Sequence, residues 1–138
     1  MFSDTVTIYN IYRNFEDDST TYFRSVIDGV HCQSKFIHKL NDREIESASY
    51  LEIYIPLTAH ERQYKDFMEE KEWNFTQDKQ RAYTFQSEDI VIVGYTDFEI
   101  TDSKSVNEVF EKHKAFRITG FNPYGFGSIA DHAKVVAK

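Results

Sequence analysis

Residues 88–101, which read EDIVIVGYTDFEIT, decide the fold class of this chain. The run Ile90–Val93 consists of four β-branched residues between two acids and a glycine, a pattern typical of a strand buried on both faces. Residues 98–100 then alternate apolar and polar side chains, which predicts a second strand. Because only a short polar turn separates the two runs, we expect a β-hairpin around which the rest of the chain packs.

The composition fits one acidic, β-rich domain. The chain has 138 residues, of which 41% are hydrophobic and 16% aromatic, enough to bury a core without disulfides. The aromatic bias favours sheets and protein–protein surfaces. A net charge of −7 argues against general affinity for the nucleic-acid backbone.

The chain has a single cysteine, Cys32, so no disulfide forms within it, and we expect synthesis in a reducing compartment. The first ten residues have neither a basic segment nor an apolar one, so we expect no signal peptide. No stretch approaches the roughly 20 apolar residues that a membrane helix needs.

Other stretches with strand-like patterns are spread along the chain, with a turn or bulge expected at Asp28-Gly29. A capping-box pattern at 105–108 predicts a short helix over 105–113. The predicted fold class is mainly β: a small antiparallel β-barrel with one short helix before the closing strand, in one domain, 1–138. The further strands are expected at 5–13, 21–27, 50–55, 115–121 and 131–136.

Two long excursions interrupt this pattern. Residues 34–49 are polar with scattered apolar side chains, and we interpret them as a long loop rather than a strand. Residues 57–82 are interpreted as an insertion on the barrel outside its core, and apolar side chains at helical spacing predict a short helix over 60–71. Residues 122–138 form a tail that begins with a loop.

The sequence predicts no catalytic, cofactor or metal site. Cys32 follows His31 directly, and adjacent strand residues point to opposite faces, so they cannot pair as nucleophile and base. The histidines and the cysteine do not match a zinc spacing. The acids around the 88–101 stretch are interpreted as groups that keep strand ends and solvent faces wet, not as a hydrolytic pair. They are Glu88, Asp89, Asp97 and Glu99.

The order of the elements resembles a family of small structural proteins of tailed phages. The segments TVTIYNIYRN, TTYFRSVIDGVHCQ, SYLEIYIPL and EDIVIVGYTDFEIT, followed by a short helix and a closing strand, carry this resemblance over most of the chain outside residues 60–78. Within the family of head–tail connector proteins, also described as minor capsid or head–tail joining proteins, the chain is similar to the head-closure, or stopper, type.

The resemblance implies a non-enzymatic virion protein at the head–tail interface, assembled in the bacterial host cytoplasm. It implies a homo-oligomeric ring below the portal and adaptor and above the tail-tube or tail-completion protein. Packaged double-stranded DNA passes through its channel without sequence-specific binding. A long loop helps to retain that DNA, and residues 34–49 match it by position, while 57–82 stays an alternative. The candidate loop residues are Lys35, Phe36, Ile37, Leu40 and Arg43.

Further candidates for contact between subunits or with partners are aromatic: Tyr64, Phe67, Trp73, Phe121 and Tyr124. Two other functions stay open from the sequence. One is a tail-completion (terminator) or minor capsid protein of the same virion. The other, from a different class, is a cytosolic β-barrel that binds a small ligand on a concave aromatic face.

Overall fold

The computed structural model of the chain describes residues 3–40, 45–56, 58–122 and 132–138, and for 35–40, 45–49 and 132 it describes the backbone. The chain is mainly β, as predicted from the sequence. In chain order the elements are β1 (Asp4–Asn14), β2 (Ser19–Leu40), β3 (Ile45–Pro56), β4 (His60–Glu61), β5 (Asp66–Phe67), α1 (Glu70–Phe75), a 3-10 turn (Lys79–Arg81), β6 (Ala82–Tyr83), β7 (Ile90–Val93), α2 (Ser103–Lys112), β8 (Ala115–Asn122) and β9 (His132–Ala137).

Six of these strands close into an antiparallel barrel, which confirms the predicted fold class. Around the barrel the order is β1, β7, β8, β9, β3 and β2, and the β1–β2 pair completes the circle. The short strand β4 extends the sheet by pairing with β2, whereas β5 and β6 form a separate parallel pair. Because every barrel strand pairs with two others, the barrel itself leaves no open sheet edge over its height.

The interior of the barrel is filled by aliphatic side chains from all six strands. Burying this apolar surface is the main driving force for closing the sheet. The barrel therefore has a packed core along these strands. The core residues are Val6, Ile8, Ile27, Val30, Leu51, Ile53, Ile55, Val91, Ile118, Val135 and Ala137, each at most 9% exposed.

The strand β7 is buried on both faces, as its run of β-branched residues predicts. Val91 points into the barrel core, while Ile90 and Ile92 point outward and pack against α2. The predicted partner strand at 98–100 is wrong, because β1 and β8 already occupy the two edges of β7. Residues 95–101 instead cross the outside of β1 without forming a strand, and the Tyr9 hydroxyl donates to the Phe98 carbonyl at 2.7 Å.

The helix α2 begins at Ser103, earlier than the predicted range of 105–113. Its N-cap is Asp102, whose carboxylate accepts the Ser105 backbone N–H at 2.8 Å. An aspartate satisfies an orphan donor at this position and also complements the positive end of the helix dipole. Val106 and Val109 form the buried face of α2 against the outside of the barrel.

The segment 58–86 contains several short elements, and the helix predicted over 60–71 is wrong. Tyr64 has a positive φ of 61°, which a continuous right-handed helix does not allow. The segment is tied instead to β2, since the carboxylate of the buried Glu61 accepts the Val26 backbone N–H at 3.1 Å. Lys65 likewise donates to the Arg24 carbonyl at 2.6 Å. Its helix, α1, begins only at Glu70.

A β-bulge lies at Gly29, where the sequence predicts a turn or bulge. Asp4 pairs with Val30 and Thr5 with Asp28, so Gly29 has no opposite residue on β1. The extra residue lets both Ile27 and Val30 face the core, although strand alternation alone would send one of them outward. Gly29 has φ of +82°, a conformation that residues with a Cβ rarely adopt.

We expect Gly29→Ala to lower the free energy of unfolding by about 1–2 kcal/mol, because alanine is strained in the left-handed region. Urea denaturation of the purified protein measures this difference. Gly120→Ala is the matched control, since Gly120 lacks a positive φ and a Cβ there meets no atom within 4 Å. Equal midpoints for the two variants would contradict the assigned role of the bulge.

Candidate functional site

The strand β2 projects from the barrel at both of its ends, and these projections are the candidate interaction surfaces. At one end, β2 residues 35–40 pair with β3 residues 45–50, beyond the reach of β9, whose pairing with β3 begins at Leu51. We call this two-stranded part the ribbon. Six residue pairs at a rise of about 3.3 Å give it a length of roughly 20 Å.

The ribbon corrects the interpretation of residues 34–49 as a loop. Lys35, Phe36, Ile37 and Leu40 all lie in β2, and Leu40 pairs with Ile45. Interstrand hydrogen bonds do not depend on side-chain polarity, so a polar sequence without strict alternation still continues a hairpin that the barrel has started. Arg43, also predicted for this loop, lies outside the described residues.

At the other end, β1 and β2 continue past the barrel to a turn at 15–18, and the segment 58–86 covers the inner face of this hairpin. Trp73 of α1 is 0% exposed there. Its ring meets those of Tyr12 and Phe23 edge-on, at centroid distances of 6.4 and 5.7 Å. Trp73, predicted as a partner contact, is therefore a packing residue, and the segment 58–86 is part of the fold.

A groove of about 670 Å³ lies between this hairpin and the chain that follows α1. We call it the hairpin groove. Its walls combine aromatic rings with amide and hydroxyl groups, a mixture suited to a ligand with both apolar and polar parts. The lining residues are Tyr12, Thr21, Phe23, Asn74, Phe75, Thr76, Gln77, Asp78, Lys79 and Gln80.

The Lys79 ammonium group lies in the wall of the hairpin groove. It donates to the carbonyls of Thr76 at 2.6 Å and Asn74 at 3.2 Å, and it lies 4.2 Å from the centroid of the Tyr12 ring. Desolvation lowers the pKa of Lys79. No carboxylate of the described residues forms a salt bridge with Lys79, so the groove contains a positive charge without an acidic partner in that part of the chain.

Two phenylalanines at this end of the molecule were not singled out from the sequence. Phe75, in the groove wall, is 88% exposed, and Phe15, in the turn of the hairpin, is 92% exposed. The sequence feature that could have identified Phe15 is its position in the acidic turn that follows β1. Such exposed aromatic side chains are more common at interfaces than elsewhere on a surface.

Of the other predicted contact residues, the three that the structure describes do not line the hairpin groove: Tyr64, Phe67 and Phe121. Tyr64 is 87% exposed. Phe67 is partly exposed and packs against Phe85 and Phe121, with ring centroids 5.8 and 5.7 Å away. Tyr124 lies outside the described residues. The predicted contacts thus do not form a single surface.

Groups with potential for chemistry are dispersed. Within the described ranges, no cluster of three or more histidine, cysteine or acidic residues is placed to hold a metal ion. Burial raises the pKa of Cys32 to about 12, so its sulfur stays a thiol at neutral pH. His31, on the opposite face of the strand, stacks on Tyr54 at a centroid distance of 6.1 Å. In the same part of the chain, no helix is long and apolar enough to cross a membrane.

Asp89 is only 1% exposed, so the prediction that it keeps a strand end wet is wrong. Its carboxylate accepts hydrogen bonds from Asn10 Nδ2 at 2.8 Å and from Gln86 Nε2 and the Ile11 backbone N–H, both at 3.0 Å. Asn10 in turn donates to the Thr84 carbonyl at 2.7 Å and accepts the Thr84 N–H at 3.2 Å. This network fixes residues 84–89 to β1.

Burial raises the pKa of Asp89 to about 7, although these hydrogen bonds lower it. The folded state thus binds a proton more tightly than the unfolded chain, whose aspartate pKa is about 3.9. We expect the free energy of unfolding to fall as the pH rises from about 4 to about 7, by up to roughly 1 kcal/mol per pH unit from this group. Asp89→Asn should remove this contribution, as measured by urea denaturation across that range.

Asp97→Asn, at an exposed carboxylate, is the control and should retain the pH slope of the unchanged protein. If Asp89→Asn retains the same slope as well, Asp89 does not titrate in this range.

The chain was compared with protein families, curated proteins and solved structures. Neither the curated proteins nor the solved structures gave a match. One family model matches along residues 1–138. The chain therefore belongs to DUF6751, a family of unknown function.

Proposed function

We propose that this chain is a non-catalytic virion protein of the head–tail interface in a tailed phage, of the head-closure or stopper type. It forms a homo-oligomeric ring below the portal and adaptor and above the tail-tube or tail-completion protein. The observation that supports this most is the ribbon. A packed barrel supplies a rigid body for a ring, and the ribbon supplies a projection that can reach toward an axis.

The paired backbone of the ribbon gives it the stiffness that retaining DNA requires. Its six residue pairs lie in register, from Lys35 opposite Tyr50 to Leu40 opposite Ile45. Interstrand pairing makes such a projection stiffer than an unpaired loop of equal length, so it can transmit force from DNA to the barrel. The sequence of the ribbon includes Phe36, Ile37 and Leu40. Apolar residues from several subunits meeting at an axis would block the channel by packing against each other.

The charge of the chain supports the same function. A protein that retains DNA until ejection must block its passage without binding phosphates tightly, because tight binding would slow release. The net charge of −7 meets this requirement, since affinity for DNA depends on the number of phosphates that cationic groups neutralise.

Shortening the ribbon tests the proposal. Replacing residues 36–49 with Asn-Gly joins Lys35 to Tyr50, which are already opposite each other, through a two-residue turn. In a phage that depends on this chain, we expect the shortened protein to join the portal complex but to leave heads that lose their DNA. Nuclease-protected DNA and negative-stain images of purified heads measure this result.

A second variant, Phe36→Ser/Ile37→Ser/Leu40→Ser, keeps the ribbon length and tests whether apolar packing closes the channel. The control is Lys104→Ser, at an exposed position at the start of α2, which should retain DNA normally. Heads that stay full with the shortened ribbon would contradict a stopper function. Binding of the chain to tail ends alone would identify a tail-completion protein instead.

A further inference from the structure

We infer that the turn at residues 15–18 of one copy of this chain binds in the hairpin groove of a second copy. This contact would join neighbouring subunits head to tail. It would be the contact between subunits of the proposed ring, so the inference rests on the proposed function. The ligand of the groove is thus a phenylalanine side chain with carboxylates beside it. Phe15 is followed by Glu16, Asp17 and Asp18.

The exposure of Phe15 is the first observation. At 92% exposed, it contributes nothing to the packing of its own subunit, and water contacts nearly its whole ring. Phe75, in the wall of the groove, is almost as exposed. Phe15, Phe75 and Tyr64 are the most exposed large apolar side chains of the described residues, and the two phenylalanines lie at the same end of the molecule, which indicates surface that becomes covered.

The turn is held in one conformation before any binding. The Asn14 side chain accepts the Glu16 backbone N–H at 3.0 Å. The Asp17 carboxylate accepts the Ser19 N–H at 3.1 Å and its hydroxyl at 2.6 Å. A turn fixed in this way loses little conformational entropy when it docks, so Phe15 is presented on a rigid support.

The groove complements this turn in shape and in charge. Its volume of about 670 Å³ accommodates a phenylalanine ring together with neighbouring side chains. Tyr12, Phe23 and Phe75 offer aromatic surface to that ring. The lining includes the acid Asp78 as well as Lys79, so the counter-charge offered to the carboxylate of Glu16 is local to the Lys79 ammonium group, which forms no salt bridge with the described residues.

A second copy explains these features better than the subunit alone. The turn and the groove belong to the same hairpin, and the exposure of Phe15 shows that the turn does not fold back into its own groove. A contact between two different patches of identical chains is heterologous, and repetition of it closes a ring when the rotation between subunits fits.

Sedimentation velocity over a concentration series tests the contact with the full chain. We expect concentration-dependent association, and we expect Phe15→Ala and Phe75→Ala each to weaken it about tenfold or more. Phe110→Ala is the control, because Phe110 is an exposed phenylalanine of α2 outside the lining of the groove, and it should change the association constant by about twofold at most.

Neutralising the two charges tests the ion pair. Lys79→Gln, which keeps N–H donors for the Thr76 and Asn74 carbonyls, and Glu16→Gln should each weaken association a few-fold, and the double variant should be no weaker than either single variant, since removing one charge already removes the pair. Far-UV circular dichroism confirms that each variant is folded. An unchanged association constant for Phe15→Ala, a double variant whose loss is the sum of the two single losses, or a chain that stays monomeric throughout the series would each overturn the inference.

The outcome separates this inference from the proposed function. If Phe15→Ala subunits still form rings under the portal, the turn–groove contact is wrong while the stopper function stands. If the turn–groove contact governs association but the rings bind neither head nor tail proteins, the inference stands and the proposed function fails.

Discussion

The structure depends on a single strand, β2, that changes its pairing partner part-way along. Up to Val30 it pairs with β1, and from His31 onward it pairs with β3. The bulge at Gly29 lies immediately before this change and keeps apolar side chains on the core side before and after it. The same strand therefore forms the hairpin at one end, the barrel wall in the middle and the ribbon at the other end. Any force applied to the ribbon passes along a continuous backbone to the core and to the hairpin.

Much of this fold is predictable from local pattern. β1 and β7 are rich in β-branched or aromatic residues, which predicts strands. The glycine at position 29 indicates a bulge, because few other residues adopt a positive φ. Two of the errors, the loop assigned to residues 34–49 and the strand assigned to residues 98–100, share one physical cause. Residues 35–40 and 98–100 have similarly modest strand signals, but only the first are placed opposite a free strand, whereas both edges of β7 are already occupied. Pairing is decided by which edges are available, and that is a property of the assembled sheet.

In the candidate site too, single segments are predictable from the sequence, whereas contacts between distant segments are not. The acidic turn with Phe15 and the polar chain after α1 are visible in the sequence, but their proximity is not, because more than 50 residues separate them. For Asp89 the local pattern itself is misleading, since an acid beside a strand is ordinarily solvated. It is buried here because Asn10 and Gln86, from both sides of the network, donate hydrogen bonds that compensate for the loss of water. Trp73 similarly becomes core only because the hairpin extends past the barrel to meet it.

The ribbon has a consequence for the life of the protein before assembly. Outside the barrel, its two strands pair with one another, and on its outer sides the described chain supplies no further strand. Each side therefore presents a row of backbone amide and carbonyl groups that no described strand pairs with, which is a template for adding a strand from another molecule. Such a template favours correct assembly when the right neighbour is present and aggregation when it is absent. Under the proposed ring assembly, the concentration of unassembled chain in the cell would then be a constraint on the protein in addition to the stability of its barrel.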